Sequence, residues 1–237
     1  MLTYDDVAEY FSVVCCGFGC FFASLLLILF YHGVFYKVVV KSTKPPFTKD
    51  LYVVYKFTLN YTESRNLLAE VQSIAPDLES FSIYHEAFYQ TKSQVGSSVG
   101  VILTDQMGEA LYKKLLGAGY KVAIFPAVEY AVISSFPYRN YLSLALAVNR
   151  IYPKFKEYIK MNRLCAHPIM ELYTKDTIYF IAPLSKQFDF YADEAITHTE
   201  DTSGEEEEEE ELSCEEEVKK CTCATRRRHK TSCGGMC

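Results

Sequence analysis

The sequence predicts an α+β domain built from a duplicated strand-helix-strand-strand unit, behind one N-terminal transmembrane helix. Three observations predict it. An apolar run of 21 residues lies near the N-terminus; β-rich segments alternate with amphipathic helical ones along the body; and two of those helical segments superpose at one constant offset.

The apolar run is FSVVCCGFGCFFASLLLILFY, Phe11 to Tyr31, and no Asp, Glu, Lys or Arg occurs between Glu9 and Lys37. At about 1.5 Å per residue a helix of this length matches a hydrocarbon core of roughly 30 Å. A cleaved signal peptide has a basic leader and a shorter apolar stretch, whereas the leading residues here, MLTYDDVAEY, are acidic. The run reads as a retained anchor. Lys37, Lys41, Lys44 and Lys49 follow it, a bias that predicts a cytosolic body and a short lumenal N-terminus.

After the linker STKPPFTKD, where Pro45 and Pro46 oppose regular structure, LYVVYKF (Leu51 to Phe57) reads as a strand. Thr62 is the expected cap of the next helix, with Leu67, Leu68, Val71 and Ile74 on one face and Pro76 as its stop. FSIYHEAFY and SVGVILT read as two strands. A second helix is expected to be capped by Asp105 and ended by Gly117 and Gly119. KVAIFP and YAVISSF then read as strands, and the clearest helix follows, with Tyr141, Leu144, Ala145, Val148, Ile151, Tyr152, Phe155, Tyr158 and Ile159 on its stripe. IMELY and TIYFIAPL complete the body. A shift of 77 places Tyr61 on Tyr138, Leu67 on Leu144, Val71 on Val148, Ile74 on Ile151 and Pro76 on Pro153. Paired units of this kind predict a mostly antiparallel sheet with the long helices on one face and a groove on the other.

Charge divides sharply along the chain. Residues 1–196 carry 18 acidic and 18 basic side chains, residues 197–237 carry 12 and 6. The neutral body has no basic excess with which to meet nucleic-acid phosphates, so no direct nucleic-acid contact is expected. Of nine cysteines the body holds one, Cys165, which cannot close a disulfide within its own domain and suits a reducing compartment. No glycine-rich phosphate loop or metal-ligand spacing occurs there, so neither a cofactor nor a bound metal is expected. Cys165 and His167 in RLCAHP form the one nucleophile-base pair to consider, but no third group orients them, and the body is read as non-enzymatic.

The stretches VVYKF, LYKKLLGAGYKVAIFPA, FPYRNYLSLALAVNRIYP, YIKMNRLCAHPIMELYTKD and IYFIAPLSKQFDFY resemble, in that order and behind the same kind of anchor, the cytosolic domain of the testis-expressed protein 264 family. The resemblance covers residues 10 to 191. That family's domain is similar to the bacterial gyrase-inhibitor-like, or multidrug effector-binding, domain, a duplicated α+β unit with a ligand groove. The resemblance implies a single-pass membrane protein of the endoplasmic reticulum, N-terminus lumenal and C-terminus cytosolic. It further implies an adaptor in selective autophagy of the reticulum (reticulophagy), with Atg8-family proteins and the p97 segregase as partners. The alternative is a membrane-tethered small-molecule-binding protein of the gyrase-inhibitor-like class without Atg8 binding.

In the bacterial domains a carboxylate on a late strand, in a pattern similar to ExY, faces the ligand; Glu171 and Tyr173 in IMELY match it. A partly buried carboxylate among tyrosines attracts small cationic ligands through charge and cation-π contact. By strand alternation Glu171 and Tyr173 share one face and Met170 and Leu172 the other. His85 reads as a strand histidine rather than a metal ligand. The implied Atg8 motif lies in the tail, where the family has FEEL. Its counterpart here is Glu209, Glu210, Glu211 and Leu212, which keeps the acids and the leucine and lacks the aromatic anchor.

The expected domain organisation is a lumenal N-terminus over 1–10, the transmembrane helix and its flank over 11–36, a linker over 37–50, the gyrase-inhibitor-like domain over 51–191 and a disordered tail over 192–237. The tail holds the run of seven glutamates, five cysteines and the basic cluster Arg226 to Lys230. Asn60-Tyr61-Thr62 forms a glycosylation sequon that matters only on the lumenal side. Asn60 is expected to carry no glycan in cells; an endoglycosidase-sensitive mass shift that disappears in Asn60→Gln would reverse the topology.

Overall fold

The apolar run forms a helix, α1, over Tyr4–Tyr31; the computed structural model describes the chain over residues 4–85, 96–104 and 108–195. The stretch Val13–Tyr31 is exposed along its length, and by length and composition it is the one candidate membrane span among the described residues. The helix starts earlier than expected because YDDVAEY contains no Gly or Pro to halt it.

The domain follows as β1 (Lys41–Thr43), β2 (Leu51–Thr58), α2 (Tyr61–Ile74), β3 (Ser80–Tyr84), β4 (Ser97–Ile102), α3 (Glu109–Gly117), β5 (Lys121–Phe125), β6 (Ala131–Pro137), α4 (Tyr141–Met161), β7 (Ile169–Tyr173), β8 (Thr177–Pro183) and a short 3-10 helix, Gln187–Phe190. All eight strands form one sheet in the order β1-β6-β8-β7-β3-β4-β2-β5, and every pairing is antiparallel. The expected α+β class is therefore the observed one.

Alternation along the strands divides the core into two layers. On one face Leu67 and Leu68 of α2 and Ala147, Ile151 and Phe155 of α4 pack on Val132, Phe136, Ile169, Ile178 and Phe180. Val71 of α2 and Leu115 of α3 extend that layer over Val54 and Val101. The opposite face was expected to be an open groove, and it is not. Phe190, Ala192 and Ala195 cover it together with Phe47, burying Val53, Phe81, Phe125, Met170 and Leu172. The domain thus runs past Tyr191: Ala192 and Ala195 are small and apolar enough to lie on the sheet. Glu194 beside them meets Lys121 Nζ and accepts a hydrogen bond from Tyr55 Oη at 3.2 Å.

Several local expectations are corrected. The cap of α2 is Asn60, whose Oδ1 accepts from the backbone N–H of Thr62 at 2.8 Å and of Glu63 at 3.4 Å; Thr62 is already helical. Helix α3 begins after Gly108 with no side-chain cap, and Asp105 lies outside the described residues. Pro76 follows the end of α2 as expected, but Pro153 sits inside α4. An internal proline forfeits one helical hydrogen bond, and the helix continues because Ala147, Ile151 and Phe155, all fully buried, hold it to the sheet on both sides of that break. The linker is also partly structured, since Lys41–Thr43 pairs with Ala131–Ile133 as the edge strand β1.

Arg150 ties the end of α1 to the domain. Its guanidinium donates to the carbonyl oxygens of Gly33 (3.1 Å), Val34 (2.7 Å) and Tyr36 (2.7 Å), in the stretch where the helix has ended and carbonyls lack intrahelical donors. Gly33 has φ +79°, and a Cβ there would come 3.1 Å from the Phe136 ring. A turn of that hand against an aromatic face requires glycine.

One close approach makes the central register testable. A Cβ on Gly100 would lie 1.8 Å from the carbonyl oxygen of Val54, across the β2–β4 pair in which Gly100 faces Tyr55. Gly100→Ala is expected to destabilise the domain by about 3 kcal/mol or more, because backbone rather than a side chain must move. Chemical denaturation measures it, and an unchanged midpoint would contradict this register.

Candidate functional site

Strand β7 lies in the middle of the sheet between β8 and β3, so Glu171 enters the layer beneath the helices rather than solvent. It is 2% exposed. Met170 and Leu172 point to the opposite layer, whereas Ile169 and Tyr173 share the helix side with Glu171. Tyr152, on the inner face of α4, donates its hydroxyl to Glu171 Oε1 at 2.8 Å. Tyr173 donates to Oε2. Both carboxylate oxygens are therefore held by phenols.

Other aromatics surround this pair. Tyr138 stacks edge-on to Tyr173 with centroids 5.6 Å apart, and Tyr152 meets Phe180 the same way at 5.7 Å. Tyr84 on β3 and Tyr61 at the start of α2 lie 6.0 Å apart. At the rim, the Arg65 guanidinium sits 4.1 Å from the centre of the exposed Tyr141 ring. The result is a carboxylate enclosed by tyrosines, with one cation at its outer edge.

Burial pushes the Glu171 carboxyl above its usual range, while the hydrogen bonds from Tyr173 and Tyr152, and then the charge of Arg65, pull the other way. Burial and next the negative Glu171 push Tyr84, Tyr152 and Tyr173 well above the ordinary phenol value. The phenols stay protonated donors. Such a site favours a positive charge or a hydrogen-bond donor near Glu171.

The remaining candidates resolve differently. His85 Nε2 lies 2.9 Å from Ser98 Oγ, and burial pushes its imidazole down to about 3. It is a core histidine, and no group of three metal-ligating side chains occurs among the described residues. His167 Nδ1 lies 3.0 Å from Tyr191 Oη, so that ring nitrogen is engaged by a phenol, and burial pushes its pKa down to about 4. The Cys165 carbonyl accepts from Gln187 Nε2 at 2.5 Å. Glu209, Glu210, Glu211 and Leu212 lie outside the described residues. Sequence reasoning paired Glu171 with Tyr173 and missed Tyr152, which the helical periodicity had already assigned to the core stripe. It missed Tyr61, Tyr84 and Arg65 as well; nothing in their local sequence marks them.

Fold and site together define a helix-backed antiparallel α+β domain with a buried acid at its centre, behind an apolar N-terminal helix. No family model matches the chain. It is 36% identical over 174 residues to the testis-expressed protein 264 homolog of Mus musculus, covering 69% of this chain and 54% of that protein. It is likewise 36% identical over 181 residues to testis-expressed protein 264 of Homo sapiens, covering 72% and 56%. The chain belongs to the testis-expressed protein 264 family, as its motifs predicted, and it spans about half the length of the curated relatives it matches. Among solved structures it is similar to the EcmrR C-terminal domain (TM-score 0.40, 14% identity, 63% of this chain and 98% of that one). An uncharacterized conserved protein from Listeria innocua is similar at TM-score 0.38 and 8% identity, over 62% of this chain and 92% of that one. Likenesses of this degree carry no weight for function.

The raised carboxyl of Glu171 gives a pH signature. Between the ordinary carboxylate value, 4.5, and its own higher one, the folded protein holds a proton that the unfolded chain has lost. Its contribution to stability is complete below 4.5 and is lost as pH rises through the folded value. Glu171→Gln is expected to remove that decline, so the difference in denaturation midpoint between variant and wild type grows with pH above 4.5. A pH-independent difference would mean that Glu171 ionises as it does in water.

Proposed function

We propose that the chain is a non-enzymatic adaptor of the endoplasmic-reticulum membrane, with its domain in the cytosol, that recruits partners for selective autophagy of the reticulum. The observation that carries this reading is the Arg150 clamp on Gly33, Val34 and Tyr36. A domain tied to the exit of an apolar helix is held close to whatever surface that helix enters, which supports a membrane-held module. The lysines that follow the helix support a cytosolic body.

The same reading takes the domain as gyrase-inhibitor-like and duplicated. Support comes from the connectivity: β2-α2-β3-β4 and β6-α4-β7-β8 have the same order of elements. Their strands lie as β3-β4-β2 and β7-β8-β6, outward from the β3–β7 pair, and the helices match at the 77-residue offset. Atg8-family proteins and the p97 segregase are the partners this reading names, with Glu209, Glu210, Glu211 and Leu212 in the tail as the stretch to meet the Atg8-family proteins.

A second reading has its own support in the tyrosine-enclosed carboxylate: a small cationic ligand held at Glu171. Since Glu171 is buried, entry requires α2 and α4 to part above it.

Affinity capture of the full chain in nanodiscs by Atg8-family proteins separates the two. The adaptor reading expects binding that is lost on deletion after Ala195. Binding that survives the deletion would move the contact into the domain. No binding, together with calorimetric heat from a cationic dye in wild type and none in Glu171→Gln, would favour the second reading.

A further inference from the structure

Edge strand β1 reaches only from Ala131 to Ile133 along β6, and the chain before Lys41 departs from the sheet. A cavity of about 520 Å³ opens there, bounded by residues 36–46 on one side and by Ser134, Ser135 and Tyr179 on the other. Its size falls within the roughly 300–1,000 Å³ of small-molecule sites. Lys37, Lys41 and Lys44 line it and no acidic residue does. Among the described residues none of the three has a carboxylate within ion-pair distance.

Cations that line one concavity without counter-charges raise the local concentration of anions there. Its position says which anion. The cavity begins at Tyr36, five residues after α1 ends at Tyr31. That distance is at most about 18 Å of chain, and the Arg150 clamp holds it against the domain. If α1 fills the hydrocarbon core, the cavity lies at the headgroup layer, where anionic lipids attract juxtamembrane lysines. Tyr36, Val39 and Pro46 add an apolar wall for the glycerol end of such a molecule.

We propose that this cavity binds the phosphate-bearing headgroup of an anionic lipid in the chain's own membrane. The proposal rests on α1 spanning that membrane and is independent of partner recruitment. The test is amide hydrogen exchange on the full chain in nanodiscs of phosphatidylcholine alone or with added phosphatidylinositol phosphate. Exchange over residues 36–46 is expected to slow only with the anionic lipid. The dependence on lipid concentration is expected to weaken about fivefold for each lysine neutralised. The combined Lys37→Gln, Lys41→Gln, Lys44→Gln variant is expected to lose the protection while β4 amides remain unchanged. The Lys113→Gln, Lys114→Gln variant on α3 is expected to keep it. Equal exchange in both nanodiscs, or protection that survives the triple variant, would overturn the proposal. Protection by soluble inositol phosphate without protection by the lipid would overturn the assignment to a membrane ligand.

Discussion

The ladder between β3 and β7, from Ser80 opposite Tyr173 to Tyr84 opposite Ile169, joins β1, β6, β8 and β7 to β3, β4, β2 and β5. Every residue of both strands is buried, so an error in register here would turn Phe81 and Ile83 away from one layer and expose that layer's core. The polar members of the seam, Ser80, Ser82 and Glu171, all fall on the helix side. Glu171 stands directly across from Ser82, and it is tolerated there because two phenols satisfy it. Hydrogen bonds to a charged group each contribute about 1.5–3 kcal/mol, enough to offset part of the cost of burial that appears as its raised pKa.

The two layers do different work. The helix layer encloses the acid, while the opposite layer is sealed by Phe190, at the end of the expected domain, and by Ala192 and Ala195, which composition alone assigns to the tail. Phe190 stacks on Phe125 with centroids 5.4 Å apart, and the Tyr191 hydroxyl donates to the His85 carbonyl at 3.1 Å. A ligand held at Glu171 must therefore lie on the helix side, the reverse of the face that a helices-on-one-side sheet suggests.

Much of this was legible in the sequence, and the rest was not for identifiable reasons. Period-2 and period-3.6 patterns locate the strands and helices, and alternation correctly puts Glu171 with Tyr173 and apart from Met170. Alternation cannot say which layer covers which face. Tyr152 reaches Glu171 from 19 residues away in the chain, and its local signal is that of an ordinary core tyrosine. Pro153 would stop a helix on local propensity alone, but the apolar stripe runs past it to Ile159, and the helix follows the stripe because tertiary packing outweighs one lost hydrogen bond. Asn60 was noticed for its sequon, and its actual part in the fold is to cap α2.

The two edges of the sheet carry a mechanical consequence. The apolar helix α1 leads into β1, at one edge, and the chain leaves the described domain beside β5, at the other, where Glu194 meets Lys121. A load applied between α1 and Ala195 would cross the full width of eight strands, about 34 Å at the usual spacing. It would act at right angles to the strands, opening ladders one hydrogen bond at a time rather than shearing them together. The Arg150 clamp and the short β1–β6 pairing stand at one end of that line and the Glu194–Lys121 contact at the other, so both edges take the load before the β3–β7 seam.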